Sequence, residues 1–485
     1  MSDVARAVLE GFSWFVLAYF LVLNTLYLVL VLTAAGDVFR HVRRRPFAGD
    51  DDAFASPLTP PVSVVMPAHD EEPVIVEAVH AMLALRYPEF EVVVVDDGSK
   101  DGTFARLAEA FDLCEVPKVV PELVPVQGKI LSVWLSRQGH PLTVVRKESV
   151  GSKADASNTG INASRYPLAC MVDADAVLDE DALLTVVKPF IDDPLRMVAT
   201  GGSVRAVNGS SVHRGRIGET RMPSSWLARI QVVEYLRAFL LGRSGWSRLQ
   251  GLLIISGAFG VFRRDLVVAV GGYHVGAIGE DADLVARMHR HLRDEGREYR
   301  IQFVSEPVCW TEVPESLAVL GRQRRRWSRG LAEVLWSQRR MVGNPRYGRI
   351  GTVVMPYYLL FECLGPVLEL AGIVSVVVGL ALGILDVTFA LLFLSVALGY
   401  GFLLSVVSIA IEEVGYRRYR RGRDLGMAVV AAVVENVGFR QLHAWWRLQG
   451  LWQAIRGSEH AWGTMTRAGF ASEEAPEARE SEPVA

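Results

Sequence analysis

The sequence predicts an α/β domain, a mainly parallel sheet with helices on both faces, set between hydrophobic segments able to cross a membrane. Three observations carry that expectation. Apolar strand-type runs alternate with helical stretches between residues 58 and 340. Several of those runs end in acidic residues, at the position where open α/β sheets bind their ligands. Residues 11–36 and 350–411 are apolar over lengths that suit a bilayer.

Composition narrows the class further. Of 485 residues 51% are hydrophobic, and the formal net charge is -3. A general nucleic-acid binder would be basic across a whole domain, so no nucleic-acid partner is expected. Cys114, Cys170, Cys309 and Cys363 lie far apart with no C-x-x-C pair and read as reduced packing residues. His289 and His291, in "RMHRH", read as a solvated helix face rather than a metal site.

The first element, 11–36, carries no charge, and "RHVRRR" follows at once, which favours a retained anchor over a cleaved signal peptide. The soluble stretch 58–340 then opens with "VSVVMPAHDEE" and a helical run at 72–85. "EVVVVDDGSKDGT" is a buried strand of four valines ending at Asp96 and Asp97. The segment 114–141 reads as an insertion that the core fold does not require. "LTVVRKES" is a further strand, and "LACMVDADAVL" another that ends in Asp173-Ala174-Asp175. Carboxylates alternating across a small residue suit Mg²⁺ or Mn²⁺, which keep waters and bridge to a substrate's phosphates. Taken alone, the D-x-D pattern fits a structural turn equally well. Glu280 and Asp281 open a helix after Gly279, where a general base and a plain N-terminal charge preference are both open readings. Arg322, Arg324, Arg325, Arg326 and Arg329 crowd around Trp327, a density that implies an anionic partner.

The membrane block resumes near Ile350. Residues 363–385 and 387–411 read as a transmembrane hairpin turned at Asp386, with Glu362 and Glu369 at membrane depth or its edge. The segment 425–456 fits a fourth span or an interfacial or re-entrant element, and Arg440, Trp445, Trp446 and Arg447 suit a bilayer interface. The stretch 471–485 is acidic and reads as a disordered tail. The positive-inside rule puts the arginine clusters 40–45 and 417–423, and with them the α/β domain, on the cytoplasmic side of the cell membrane.

Taken together, these motifs resemble the membrane-embedded processive family-2 glycosyltransferases, which include cellulose, chitin, hyaluronan and poly-N-acetylglucosamine synthases. Asp96-Asp97-Gly98-Ser99 resembles the first acidic motif and "GSKADASNTGIN" the Lys-Ala-x-x-x-Asn turn. Asp173-Ala174-Asp175 resembles the D-x-D, and "SGAFGVFRRD" the acceptor-side loop. Gly279-Glu280-Asp281 resembles the E-D motif, and Gln323 to Trp327 matches Q-x-x-R-W. The resemblance implies a GT-A fold and an inverting hexosyltransferase that takes a nucleotide-sugar, most often a UDP-sugar. It implies Asp281 as catalytic base beside Glu280. Asp96, Asp97, Lys153, Asn158, Asp173 and Arg326 are implied on the donor, and Gly257, Phe259, Gln323 and Trp327 on the acceptor. Asp175 and Asp173 are implied on the metal. The acceptor would be a growing glycan, with export through the bilayer, or a membrane lipid receiving one sugar. The remaining arginines around Trp327 are expected on lipid headgroups. The small number of spans leaves room for a homo-oligomer or an accessory export partner.

Overall fold

A computed structural model of the chain describes residues 3–44, 50–213, 216–416 and 421–457. The acidic tail 471–485 and the arginines at 45, 417, 418 and 420 lie outside the described residues. The chain enters through α1 (Asp3–Arg44) and the short α2 (Asp50–Ala55). It then builds the sheet strands β1 (Val62–Ala68), β2 (Phe90–Asp97), β3 (Leu113–Val116), β4 (Ile130–Ser136), β5 (Leu142–Lys147), β6 (Leu168–Val172), β7 (Val177–Leu178) and β8 (Met197–Ala206). Between them stand α3 (Ile75–Leu83), α4 (Thr103–Ala110), α5 (Lys153–Ala163) and α6 (Ala182–Asp192). A ribbon of β9 (Val212–His213) and β10 (Arg216–Ile217) precedes α7 (Trp226–Tyr235), a π-turn Leu236–Arg243 and α8 (Ser244–Arg248). The domain closes with β11 (Phe259–Arg263), α9 (Arg264–Ala269), α10 (Glu280–Asp294), β12 (Arg300–Thr311) and α11 (Leu317–Ser337).

Ten strands form one sheet in the order β3-β4-β5-β2-β1-β6-β11-β8-β12-β7. Its centre, β5-β2-β1-β6, is parallel, and the four valines of β2 are fully buried on both faces. The flanks are not: β3, β4, β7 and β11 each pair antiparallel, so the sheet is mixed. Two consequences of register build the site. Ala68 pairs Asp96 and Lys147 pairs Asp97, so the carboxyl ends of the central strands, Asp173 after β6 among them, leave one edge together. Antiparallel β11 sets Phe259 against Val172, which delivers its amino end, with Gly257, to that same edge.

The segment 114–141 is no detachable insertion. It supplies β4 to the sheet, and its loop is fixed to α5. Asn162 Oδ1 accepts from Leu123 N (3.0 Å) and Val124 N (2.9 Å), while Asp155 accepts from Gln127 N (2.6 Å) and Gly128 N (3.1 Å). His289 also departs from expectation. It is buried on the inner face of α10, with its ring nitrogens 2.7 Å from Tyr299 Oη and 2.9 Å from Leu252 O. Burial pushes its pKa down to about 4, so it is neutral packing. None of the cysteines is in a disulfide, and three of the four are buried.

Beyond α11, α12 (Met355–Tyr357) is flanked by π-turns Ile350–Val354 and Tyr358–Cys363. A 43° bend leads into α13 (Gly365–Ala381), where Pro366 can offer no N–H to continue the previous helix. Asp386 turns the hairpin as the N-cap of α14 (Val387–Leu394), its Oδ1 accepting from Phe389 N at 2.7 Å. A π-turn joins α14 to α15 (Tyr400–Tyr416). The last element is α16 (Gly422–Val434) and α17 (Arg440–Arg456), separated by a kink at Val437 and Gly438. Among the described residues three helices, 3–40, 387–416 and 422–456, are long and apolar enough to cross a membrane. The bent pair 350–381 makes up to four.

Candidate active site

Lys153, Asp173, Gly257, Tyr273, Glu280 and Asp281 line one cleft of about 260 Å³ at the carboxyl edge of the sheet. Lys153 stands at the first position of α5 and its Nζ bonds Asp173 Oδ1, with Gly257 O a further acceptor at 3.3 Å. Burial works against the charge on Lys153, but the carboxylates of Asp173, Glu280 and Asp281 outweigh it and raise its pKa. Asp281 Oδ2 accepts from Gly257 N (3.1 Å) and Oδ1 from Ala282 N (2.8 Å). Burial, then the neighbouring Asp281, push Glu280 up to about 7. Asp175 is partly buried on the far side of Ala174 from Asp173.

Tyr273 has no counterpart among the expected site residues. Its place is fixed by the loop before it, where Gly272 takes φ +71° and a Cβ would meet Asn158 Oδ1 at 2.6 Å. Asn158 Oδ1 accepts from Tyr273 N (2.7 Å), and its Nδ2 donates to Tyr273 O (2.9 Å) and Pro125 O (3.0 Å). Arg287 donates to Val270 O (2.6 Å) and Gly272 O (2.7 Å). Burial and the three cleft carboxylates hold the Tyr273 hydroxyl protonated, well above its usual range. The Gly-Gly-Tyr sequence before the acidic pair was the available signal.

Two expected site residues lie off the cleft lining. Asn158 is buried, with its amide bonded to the 125 and 273 loops, and so fixes the backbone of Tyr273. Phe259 is fully buried in β11, in the core, where a Cβ on Gly202 would meet its ring at 2.5 Å.

Asp96 and Asp97 sit at the edge but are held by protein donors. Arg146 Nε (3.2 Å) and Ser99 N (3.1 Å) reach Asp96. Lys147 Nζ (2.7 Å) and Ser149 Oγ (3.0 Å) reach Asp97. Lys147 is itself fully buried, shared between Asp97 and Asp155 at 2.8 Å, so the first acidic turn and α5 are braced by one ammonium group.

The arginine cluster divides differently from the lipid-headgroup expectation. Arg324 is buried, pairs with Glu234 at 2.7 Å and lies 4.4 Å from the Trp327 ring centroid. Arg329 pairs with Glu333 at 2.7 Å, and Arg325 donates to Gln449 at 3.1 Å. Arg322, Arg326 and Trp327 are exposed, whereas Gln323 Oε1 is buried without a hydrogen-bond partner. Glu362 and Glu369 also have protein partners, Arg447 at 3.1 Å and Arg440 at 2.8 Å, with Tyr27 Oη donating to Glu362 at 2.6 Å. These two arginines therefore face carboxylates of the helical block. Trp446 is buried, whereas Trp445 is exposed.

Among the described residues no group of three or more His, Cys, Asp or Glu side chains gathers to hold a metal ion. The D-x-D motif supplies two carboxylates, Asp173 and Asp175. That donor set fits Mg²⁺ or Mn²⁺, hard cations content with one or two carboxylates plus phosphate oxygens and water.

Comparison with known proteins completes the description. The sequence profile described as "Glycosyltransferase like family 2" matches residues 60–330. A poly-β-1,6-N-acetyl-D-glucosamine synthase of Staphylococcus epidermidis is 27% identical over 274 residues, which is 56% of this chain and 55% of that protein. The synthase of the same name from Staphylococcus aureus strain COL is 29% identical over 276 residues, again 56% and 55%. The chain thus spans about half the length of the curated relatives it matches. Among solved structures, mannosyltransferase PcManGT from Pyrobaculum calidifontis, in complex with GDP-Man and Mn²⁺, aligns at TM-score 0.48 and 20% identity over 86% of this chain and 99% of that one. S. aureus TarS 1-349 with UDP-GlcNAc aligns at TM-score 0.38 and 16% identity over 78% and 91%.

Proposed function

The chain belongs to glycosyltransferase family 2, and from that premise we propose that it polymerises a sugar from a UDP-sugar donor into a β-linked polysaccharide. In this reading it is an integral membrane enzyme of the cell membrane, with its catalytic domain in the cytoplasm and synthesis coupled to export. N-acetylglucosamine is the first sugar to try, because the curated relatives are named for it. The observation that carries the reading is the gathering of Lys153, Asp173, Gly257, Glu280 and Asp281 around one cleft.

The transfer is a single displacement. The acceptor hydroxyl gives its proton to Asp281, its oxygen attacks the anomeric carbon, and the bond to the diphosphate breaks with its electron pair leaving on UDP. Gly257 N–H and the first turn of α10 hold the Asp281 carboxylate in place. Mg²⁺ or Mn²⁺ bound at Asp173 and Asp175 would offset the charge developing on the diphosphate. Lys153, bonded to Asp173, is a cation that would turn to the phosphates when the donor occupies the site. Arg326 on α11 would face the same leaving group. The uridine would lie against the Asp96-Asp97 turn. Trp327 presents its ring to the acceptor sugar, and the unpartnered Gln323 Oε1 accepts one of its hydroxyls.

The test is direct. Protein reconstituted in nanodiscs is incubated with Mg²⁺ or Mn²⁺ and a panel of labelled nucleotide-sugars, and the products are sized. A long polymer from one donor is expected, with Asp281→Asn binding UDP as the wild type does and forming none. A single sugar on extracted lipid would replace the synthase reading with glycolipid synthesis. Turnover by Asp281→Asn would remove Asp281 as the base.

A further inference from the structure

One cation outside the cleft lining, within the electrostatic reach of Asp281, has no part in the transfer. Arg243 closes the π-turn Leu236–Arg243 that joins α7 to α8. Its Nη1 is buried with no hydrogen-bond partner. Its guanidinium carbon lies 3.9 Å from the Phe239 ring centroid, so one face of the fork is backed by an aromatic ring. Asp281, Tyr358 and Tyr235 lie within its electrostatic reach, and no carboxylate bonds it. Burial pushes its pKa down to about 10, which still leaves it charged at neutral pH. A buried donor with nothing to donate to is costly in a folded protein, and the cost is relieved when a ligand supplies the acceptor.

The surroundings say which ligand. The donor's diphosphate belongs beside Lys153 and Asp173, whereas Arg243 stands toward the helices of the C-terminal block. Trp246, three residues on, packs against Tyr357 at 4.9 Å and Tyr358 at 6.2 Å between ring centroids. Tyr358 in turn lies in the field of Glu362. Arg243 therefore sits between the base and the helical block, among Tyr235, Phe239 and Tyr358. Aromatic rings beside an unsatisfied charged donor are chemistry that suits a saccharide. Resting on the glycan-transfer reading, we propose that Arg243 binds the terminal sugar of the acceptor, donating hydrogen bonds to its oxygens and presenting the attacking hydroxyl to Asp281.

The experiment uses full-length protein in nanodiscs, with Arg243→Met and Arg243→Lys beside the wild type. Two quantities are read: the Kd for UDP, and the KM for a short β-1,6-linked N-acetylglucosamine oligosaccharide as acceptor. The expected result is an unchanged UDP Kd with the oligosaccharide KM raised about tenfold or more in Arg243→Met, the loss of a charged hydrogen bond. Arg243→Lys recovers part of that loss, because it keeps the charge but not the fork. A parallel loss of UDP affinity would move Arg243 to the donor side and overturn the proposal, as would an unchanged KM in both variants. If the wild type itself elongates no acceptor, the glycan-transfer reading fails and this inference goes with it. Wild-type elongation with unaffected variants sinks the inference alone.

Discussion

Glu280 and Asp281 occupy adjacent positions at the amino end of α10, where the helix dipole favours negative charge and burial opposes it. Burial and Asp281 win at Glu280, whose ordinary value of 4.5 rises to about 7. The linkage sign follows from the raised value. The folded protein holds the proton more tightly than the unfolded chain, so stability falls as pH rises from about 4.5 to about 7 and then levels. Glu280→Gln has no such penalty. In substrate-free protein its melting temperature should exceed the wild type's by a few degrees at pH 8, with the advantage shrinking toward pH 5. A pH-independent difference would show that Glu280 does not titrate in this range. The transfer rate should carry an inflection near pH 7 as Glu280 ionises, and Glu280→Gln should lose it. The acids of the cleft were legible as candidates, Asp173 at the end of a buried strand and Glu280 and Asp281 at the start of a helix, although each pattern equally fits a structural role. The burial of Asn158 and Phe259 was not legible, because a motif fixes the order of residues, not the side of the backbone from which each points. Arg243 carried no local signal at all: only the packing of α7 and α8 against the C-terminal helices shows that its Nη1 is buried.

At the scale of elements, α11 reaches the amino end of α10 through a contact between two glycines. A Cβ on Gly330 would stand 2.9 Å from Gly279 N and 3.1 Å from its Cα, so α11 can lie against the start of α10 only because neither position has a side chain. The Q-x-x-R-W residues are thereby held in register with Glu280 and Asp281. Gly330→Ala should push α11 back by a few tenths of an ångström. Transfer should fall about tenfold or more while UDP binding holds, since misplacement of this kind is costly to a rate and cheap to a binding constant. Steady-state rates beside UDP titrations check it, and a wild-type rate would mean that α11 is free to slide. The strands and helices of the parallel centre could be read from alternation and length, and the Asp386 hairpin from one charge between two apolar runs. Strand β4 and the loop before it were not legible, because the hydrogen bonds that order that loop come from Asp155 and Asn162 on α5. Likewise α17 reads as an interfacial stretch until α11 is placed beneath it, with Ser328 Oγ donating to Arg447 O at 2.8 Å.

Across the whole molecule, charge ties the catalytic domain to the helical block. Arg205 at the end of β8 meets Glu412 of α15 at 2.5 Å, and Arg237 of the π-turn meets Glu435 at 2.5 Å. All four side chains are largely buried, and the Arg447–Glu362 and Arg440–Glu369 pairs continue the series into the helices. Hydropathy finds the spans but gives no hint that these residues pair, since the partners in the Arg205–Glu412 and Arg237–Glu435 bonds are about 200 positions apart. Such pairs contribute little net stability when intact but leave an uncompensated charge when one member is removed. The Arg205–Glu412 pair makes this testable, because it joins the two halves away from the cleft. Glu412→Leu alone strands the Arg205 guanidinium and should cost about 3–5 kcal/mol, seen as a marked drop in apparent melting temperature in detergent. Arg205→Met/Glu412→Leu together should recover most of that loss. Recovery of stability with a reduced rate of chain elongation would show that the pair transmits position from the helices to the cleft, whereas full recovery of both would make it a tether only. A double variant as unstable as the single one would mean that the two side chains act through other partners, and that charge pairing is not what holds the domain to the helices.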